Sequence, residues 1–166
     1  MKDITLVFCL CLALVLSVIS LDHALDRVSK DAAQRASHDL PGFFTSLEAA
    51  FAMARESDKP LIVVFGRRDD APTQKLKSEV LTSSAVNAIK ERFVWAYLDV
   101  DQERNQPHVV KYDVFDTPAT CILDENGRAT DRIQGHTMPY LYARQLQRAL
   151  SSTAVKAASS GPPPAP

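Results

Sequence analysis

Two predominantly apolar runs, of which only the first is uninterrupted by charge, constrain the fold of this chain more than any other part of its sequence. One run is PLIVVF at 60–65, and the other is VWAYLDV at 94–100. Continuous apolar runs of this length are typical of strands buried on both faces of an α/β sheet. Helical patterns lie between the runs, from about Pro72 and again from Ser83 or Ser84. A right-handed crossover should therefore make the two strands parallel.

A hairpin follows the second run. Strands predicted at 118–123 and 128–134 flank Asn126-Gly127, a strong hairpin signal. Three more helical segments surround the strands: one starts with a capping-box pattern at 45–48, a short one covers 107–112, and a last one is capped by Thr137. This order predicts an α/β sandwich of three layers around a mixed sheet.

The N-terminal segment is hydrophobic and predicts a role in membrane insertion or export. Residues 4–21 contain no charged side chain and approach the ~20 apolar residues that a membrane-spanning helix needs. A retained single-span anchor is the favoured interpretation of residues 1–21. A cleaved signal peptide is the alternative, although no Ala-x-Ala site is present. A buried helix of a soluble core is the third interpretation.

The charges around this segment do not decide its orientation. Lys2 favours a cytoplasmic N-terminus, whereas Arg27, Lys30 and Arg35 follow the segment and favour the opposite orientation. Because the segment also has the character of a secretion signal, we expect an exported, periplasmic domain. That domain is either anchored by residues 4–21 or released after cleavage.

The remaining segments divide into a stalk, a domain and a tail. Residues 22–42 have the apolar spacing of a short polar stalk helix that ends at Pro41-Gly42. The folded domain is expected over 43–150. Residues 151–166 end in SSGPPPAP and are expected to form a disordered, proline-rich tail.

Composition excludes several classes of function. The formal net charge is −1, which gives no support for a nucleic-acid partner. Two of the three cysteines, Cys9 and Cys11, lie in the hydrophobic segment, so Cys121 is the single thiol of the domain. A disulfide within the domain is therefore impossible. The four histidines have no partners at metal-ligand spacing, and we expect neither a metal nor a cofactor.

Short segments of the domain occur in the order and spacing of a known family. KYDV at 111–114, TPAT at 117–120 and DENG at 124–127 follow a first strand preceded by Lys59-Pro60. With these segments, residues 43–150 resemble thioredoxin. The resemblance implies a thioredoxin-like three-layer sandwich whose mixed sheet has a parallel pair and a C-terminal antiparallel hairpin. It also implies a cis peptide bond before Pro118, beside the active-site loop; a proline at a strand edge is the alternative.

The residues that carry thiol–disulfide chemistry in that family are absent. Family members have Trp-Cys-x-x-Cys where this chain has DDAPT at 69–73. The chemistry needs a low-pKa thiolate at a helix N-terminus and a second thiol that resolves the mixed disulfide. Aspartate and threonine can supply neither. Val64 and Tyr97 also stand where thioredoxins have a buried acid and a nearby lysine.

Two interpretations of the loop at 67–73 remain open. Asp69 or Asp70 can cap the following helix, because a helix N-terminus favours an anion. Alternatively, the loop forms a recognition surface beside Pro118, where the family's backbone pairs with extended peptide. The candidate groove then consists of Asp69, Asp70, Ala71, Pro72, Thr73, Thr117 and Pro118.

These features favour a non-catalytic module that binds a protein or an extended peptide. We expect Cys121 to be a buried, inert thiol, and a reactive thiol is the alternative. A redox protein that works through Cys121 alone is accordingly the second hypothesis for function. The third hypothesis is a structural domain of an envelope complex, with the proline-rich tail as its contact.

Overall fold

The computed structural model describes residues 40–159. Its sheet has four strands in the order β2-β1-β3-β4. Their bounds are Leu61–Gly66 for β1, Val94–Asp99 for β2, Ala119–Leu123 for β3 and Ala129–Gln134 for β4. β1 and β2 are parallel, whereas β3 is antiparallel to both β1 and β4. The predicted mixed sheet, with one parallel pair and a C-terminal hairpin, is confirmed.

Five α-helices accompany the sheet in the described part of the chain. They are α1 at Leu47–Ser57, α2 at Ala71–Lys75, α3 at Ser84–Lys90, α4 at Gln106–Lys111 and α5 at Pro139–Ser159. A π-helical segment, Leu76–Leu81, continues α2, and a 3₁₀ turn, Glu103–Asn105, precedes α4. None of the helices within residues 40–159 is both long enough and apolar enough to cross a membrane.

Side chains of β1 alternate between two buried clusters, which places the sheet between two helical layers. Ile62 and Val64 face the cluster that contains Leu76 and Leu146, from the π-helical segment and α5. Leu61, Val63 and Phe65 face the cluster to which α1 contributes. All six residues of β1 are buried, as its continuous apolar run predicts. The predicted three-layer sandwich is therefore confirmed.

The packed core begins before the predicted boundary at residue 43, and the last helix continues past the predicted boundary at residue 150. Leu40, assigned by the sequence to the stalk, is 4% exposed and belongs to the core. Phe44 pairs with β2 through two backbone hydrogen bonds of 2.8 Å, to Trp95 and from Tyr97. α5 runs to Ser159, so residues 151–159, which the sequence placed in the tail, are helical. The predicted membrane segment at 4–21 lies outside the described residues.

Four connecting segments meet at one edge of the sheet. Gly66 at the end of β1 is level with Asp99 at the end of β2, and Phe65 is level with Ala119 at the start of β3. Ala119 in turn pairs with Gln134 at the end of β4. The segments at this edge are those after β1 (67–70), after β2 (100–105), before β3 (112–118) and after β4 (135–138).

Candidate functional site

Asp70 and Thr73 contact each other where the family resemblance places the two cysteines. The Asp70 carboxylate accepts two hydrogen bonds at Oδ2, from the Thr73 backbone N–H at 3.0 Å and from Thr73 Oγ1 at 2.6 Å. Thr73 is fully buried. Asp70 is the N-cap of α2, so the capping interpretation is confirmed and falls on Asp70 rather than Asp69.

This pair suits a helix N-terminus but supplies no thiol. The carboxylate lies where the helix dipole favours negative charge, and a charged acceptor strengthens both hydrogen bonds. In thiol–disulfide exchange that position holds an attacking thiolate. Here the carboxylate and the hydroxyl satisfy each other and close the first turn of α2.

The residues under this turn are tightly packed. A Cβ on Gly66 would lie 2.5 Å from Thr73 Cγ2 and 3.0 Å from the Tyr97 hydroxyl, so only glycine fits there. Lys77 is 7% exposed, and its Nζ lies 4.1 Å from the centroid of the Tyr97 ring. Val64 is level with Tyr97 on the neighbouring strand. The position where thioredoxins bury an acid is therefore apolar here.

The peptide bond between Thr117 and Pro118 is cis, which confirms the expectation from the resemblance. Pro118 is buried, and its carbonyl accepts a 2.7 Å hydrogen bond from the Gly135 N–H after β4. The Thr117 N–H donates to Asp116 Oδ1 at 2.9 Å. The backbone on both sides of this bond is thus held by neighbouring groups.

Two side chains of β4 fix the segment before Pro118. Arg132 donates to the carbonyl oxygens of Tyr112 and Asp113, at the end of α4, and its bond to Asp113 is 2.8 Å long. Gln134 Nε2 donates to the Asp116 carbonyl at 3.0 Å. Phe115 lies between these fixed points and is 92% exposed. The segment therefore presents an aromatic ring to solvent on an ordered backbone.

A cavity of about 140 Å³, partly open to solvent, lies beside this segment. Its lining comes from the segments after β1, after β2 and before β3, together with α4: Arg67, Val100, Asp101, Gln106, Val109, Val114, Phe115, Asp116 and Thr117. Two of these lining residues, Arg67 and Asp101, form an ion pair of 3.3 Å between Nε and Oδ1. Of the predicted groove residues, only Thr117 lines this cavity.

The sequence-predicted groove residues are brought to one edge of the sheet but in two groups. Asp69–Thr73 belong to the start of α2, and Thr117 with Pro118 to the segment before β3. Sequence reasoning missed the cavity, because its lining is assembled from separate segments. The run VFDTP at 114–118 could have indicated it, since two consecutive apolar residues, Val114 and Phe115, directly precede the turn residues Asp116 to Pro118.

Cys121 lies in the middle of β3 and is fully buried, as predicted. It is level with Val63 on one side and Arg132 on the other. Burial raises the pKa of the Cys121 thiol, and the charge of Arg132 opposes that effect only in part. In the described part of the chain, no group of three or more histidine, cysteine or acidic side chains is placed to hold a metal ion.

The fold and the cis-proline beside the β1–α2 turn define the thioredoxin-like class of domains. The family of thioredoxin-like domains has a model that matches residues 47–150, and this chain belongs to that family. Among curated protein sequences, none matches the chain.

Solved structures of the same class resemble the domain. A thioredoxin from Thermus thermophilus has a TM-score of 0.57 at 22% identity and covers 63% of this chain and 83% of its own. The C-terminal domain of DsbD from Neisseria meningitidis, in its oxidised form, has a TM-score of 0.53 at 18% identity, covering 61% and 90%. DsbH oxidoreductase has a TM-score of 0.54 at 18% identity, covering 64% and 82%. At these identities the likeness concerns the fold alone.

Proposed function

We propose that this chain is a non-catalytic thioredoxin-like module that binds a protein or an extended peptide. The observation that carries the proposal is the Asp70–Thr73 pair, whose two hydrogen bonds occupy the position of the family's dithiol. Thiol–disulfide exchange needs a thiolate and a resolving thiol, and this turn offers neither. The cis-proline immediately before β3, where the family's backbone pairs with extended peptide, supports the binding part of the proposal.

The proposed binding mode is the addition of a peptide strand beside Thr117. The backbone of Thr117 precedes β3, and the start of α2 lies across the same edge of the sheet. Backbone pairing of this kind needs no cysteine and takes its specificity from side-chain pockets beside the peptide. Exposed Phe115, Met138 and Tyr140 border the same edge and supply apolar contact area.

The proposal includes a location at or beyond a membrane. Residues 4–21 would either anchor the domain on the exported side or direct its secretion. A tethered binding module gains effective concentration toward partners in the same membrane. Protease protection of the full chain in sealed membrane vesicles reports which side the domain occupies.

Blocking the groove tests binding directly. Ala71 is exposed at the start of α2, so Ala71→Trp would fill the groove without disturbing the core. The matched control is Ala129→Trp, an exposed alanine on β4 at the opposite end of the sheet. Decapeptides are selected from a random displayed library on the detergent-solubilised full chain. We expect the selected peptides to bind Ala71→Trp at least tenfold more weakly than the parent chain, and Ala129→Trp as tightly as the parent chain. A library that yields no binder contradicts the proposal.

A disulfide-reductase assay tests the absence of catalysis. The full chain is compared with its Cys121→Ala variant, because a redox protein working through the single domain thiol is the competing function. We expect no turnover from either protein, since that thiol is buried and its pKa is raised. Turnover that disappears in Cys121→Ala would replace the binding proposal by a redox one.

A further inference from the structure

The cavity beside Thr117 has an excess of negative charge. One guanidinium, from Arg67, and two carboxylates, from Asp101 and Asp116, are its charged lining. Arg67 is already committed to Asp101 in the 3.3 Å ion pair. In the described residues, 40–159, no cation pairs with Asp116, whose carboxylate accepts only the neutral Thr117 N–H. An incoming cation would therefore find an uncompensated carboxylate at the cavity wall.

The same wall offers an aromatic face. Phe115 is adjacent to Asp116 in the chain, lines the cavity and is 92% exposed. Because Arg132 and Gln134 already hold the backbone on either side of Phe115, the ordering cost of covering the ring falls on its side-chain torsions alone. The ring face attracts lysine and arginine side chains through its quadrupole, and their aliphatic stems pack against it. Val109 and Val114 continue the apolar lining behind the ring.

We infer that this cavity receives a lysine or arginine side chain of the bound peptide, with its stem on Phe115 and its charge at Asp116. The inference rests on the proposed function, because it assumes a peptide strand beside Thr117. It deepens that function by assigning a partner class: extended segments with a basic residue at one fixed position.

The hydrogen bond between Asp116 and Thr117 couples the two parts of this recognition. The Asp116 carboxylate holds the backbone N–H that an added strand would use at Thr117. A basic side chain draws the carboxylate toward itself and releases that N–H to the peptide backbone. A peptide without a basic side chain must break the hydrogen bond between Asp116 and the Thr117 N–H without offering the carboxylate a new cationic partner. Side-chain charge and backbone pairing therefore favour the same peptides.

Peptide selection on matched variants tests the inference. A displayed library of random decapeptides is selected on the detergent-solubilised full chain and, in parallel, on Asp116→Asn and Phe115→Ala. We expect lysine or arginine to be enriched at one position for the parent chain. Replacing that residue by glutamine in a selected synthetic peptide should weaken parent binding about three- to tenfold, and hardly change binding to Asp116→Asn. Added salt should reduce the parent's preference.

Two control variants separate this effect from general changes of the surface. Asp131→Asn removes an exposed aspartate that also accepts a hydrogen bond from the next residue's N–H, at 2.8 Å, but on β4 outside the cavity. Val110→Ala removes a 75% exposed apolar side chain that does not line the cavity. Both should keep the parent's preference for basic residues. Binders without basic enrichment, or a preference unchanged in Asp116→Asn, would overturn the inference and leave the proposed function standing. An empty selection would instead contradict the proposed function itself.

Discussion

Asp70 carries two hydrogen bonds to a buried threonine, and Asp69, next to it, carries no capping bond. A comparison of the two aspartates therefore separates the effect of a helix cap from the effect of a negative charge near a helix start. The family's two cysteines correspond to positions 70 and 73 of this chain. Here the side chains at these positions contact each other through hydrogen bonds.

Removing the Asp70 side chain should destabilise the domain. In Asp70→Ala the cap is lost and the fully buried Thr73 hydroxyl is left without its carboxylate partner. We expect the free energy of unfolding to fall by about 1–3 kcal/mol. Urea titration followed by the fluorescence of Trp95, the only tryptophan, measures this change. Asp69→Ala is the control and should stay within about 0.5 kcal/mol. Equal effects of the two substitutions would show that the contact to Thr73 contributes nothing.

At the scale of elements, turns and helix starts determine how the segments around the sheet are held. Gly127 in the β3–β4 turn packs against Phe51 of α1, whereas Gly135 after β4 faces open space. The first turn of α1 contacts α4 through the Glu48 carboxylate, whose Oε1 lies 3.3 Å from Nε2 of His108. Each of these contacts joins elements that are distant in sequence.

Two glycines with the same backbone conformation should respond differently to alanine. Gly127 and Gly135 both have φ of +74°, so both substitutions carry the strain of a left-handed residue, about 1 kcal/mol. A Cβ at Gly127 would lie 2.9 Å from Phe51 Cζ, whereas nothing lies within 4 Å of a Cβ at Gly135. Gly127→Ala should therefore lower the unfolding free energy by about 1–3 kcal/mol more than Gly135→Ala. Urea titrations of both variants compare them, and equal losses would mean that Phe51 moves aside freely.

The ionised form of Glu48 should stabilise the fold only above its titration range. Hydrogen bonding to the backbone at the start of α1 lowers the pKa of Glu48 below 4.5; the Ser46 hydroxyl and His108 add to this effect. Because the folded pKa is the lower one, this stabilisation is present above pH 4.5 and is lost as the pH falls through the folded value. The deficit of Glu48→Gln relative to the parent should therefore exist at pH 7 and shrink as the pH falls below 4.5. Glu125→Gln, in the exposed β3–β4 turn, is the control for the loss of one surface carboxylate in the same urea titrations.

At the scale of the whole molecule, the local patterns of the sequence predicted the parallel pair and the hairpin of the sheet. The runs at 60–65 and 94–100, the crossover rule and Asn126-Gly127 were sufficient for these, because each acts within one element or between neighbours. The antiparallel pairing of β3 with β1 joins segments that are distant in sequence, and no local pattern specified it. The pairing of Phe44 with β2 escaped prediction, since one residue of strand has no periodicity to detect. The cavity beside Thr117 escaped it for a different reason. Its walls come from separate segments whose approach depends on the packing of the complete domain.

Cys121 reports how cooperatively this whole domain unfolds. The thiol is fully buried in β3, which is paired on both sides, so reagent can reach it only when the sheet separates. In a Cys9→Ser/Cys11→Ser background, the slope of its labelling free energy against urea should equal the slope from Trp95 fluorescence. A control carrying Thr130→Cys with Cys121→Ala places the thiol at an exposed position of β4 and should label at once. Labelling of Cys121 that does not depend on urea would reveal a local opening of β3. Such an opening would expose the thiol in the folded domain, as a redox function through Cys121 requires.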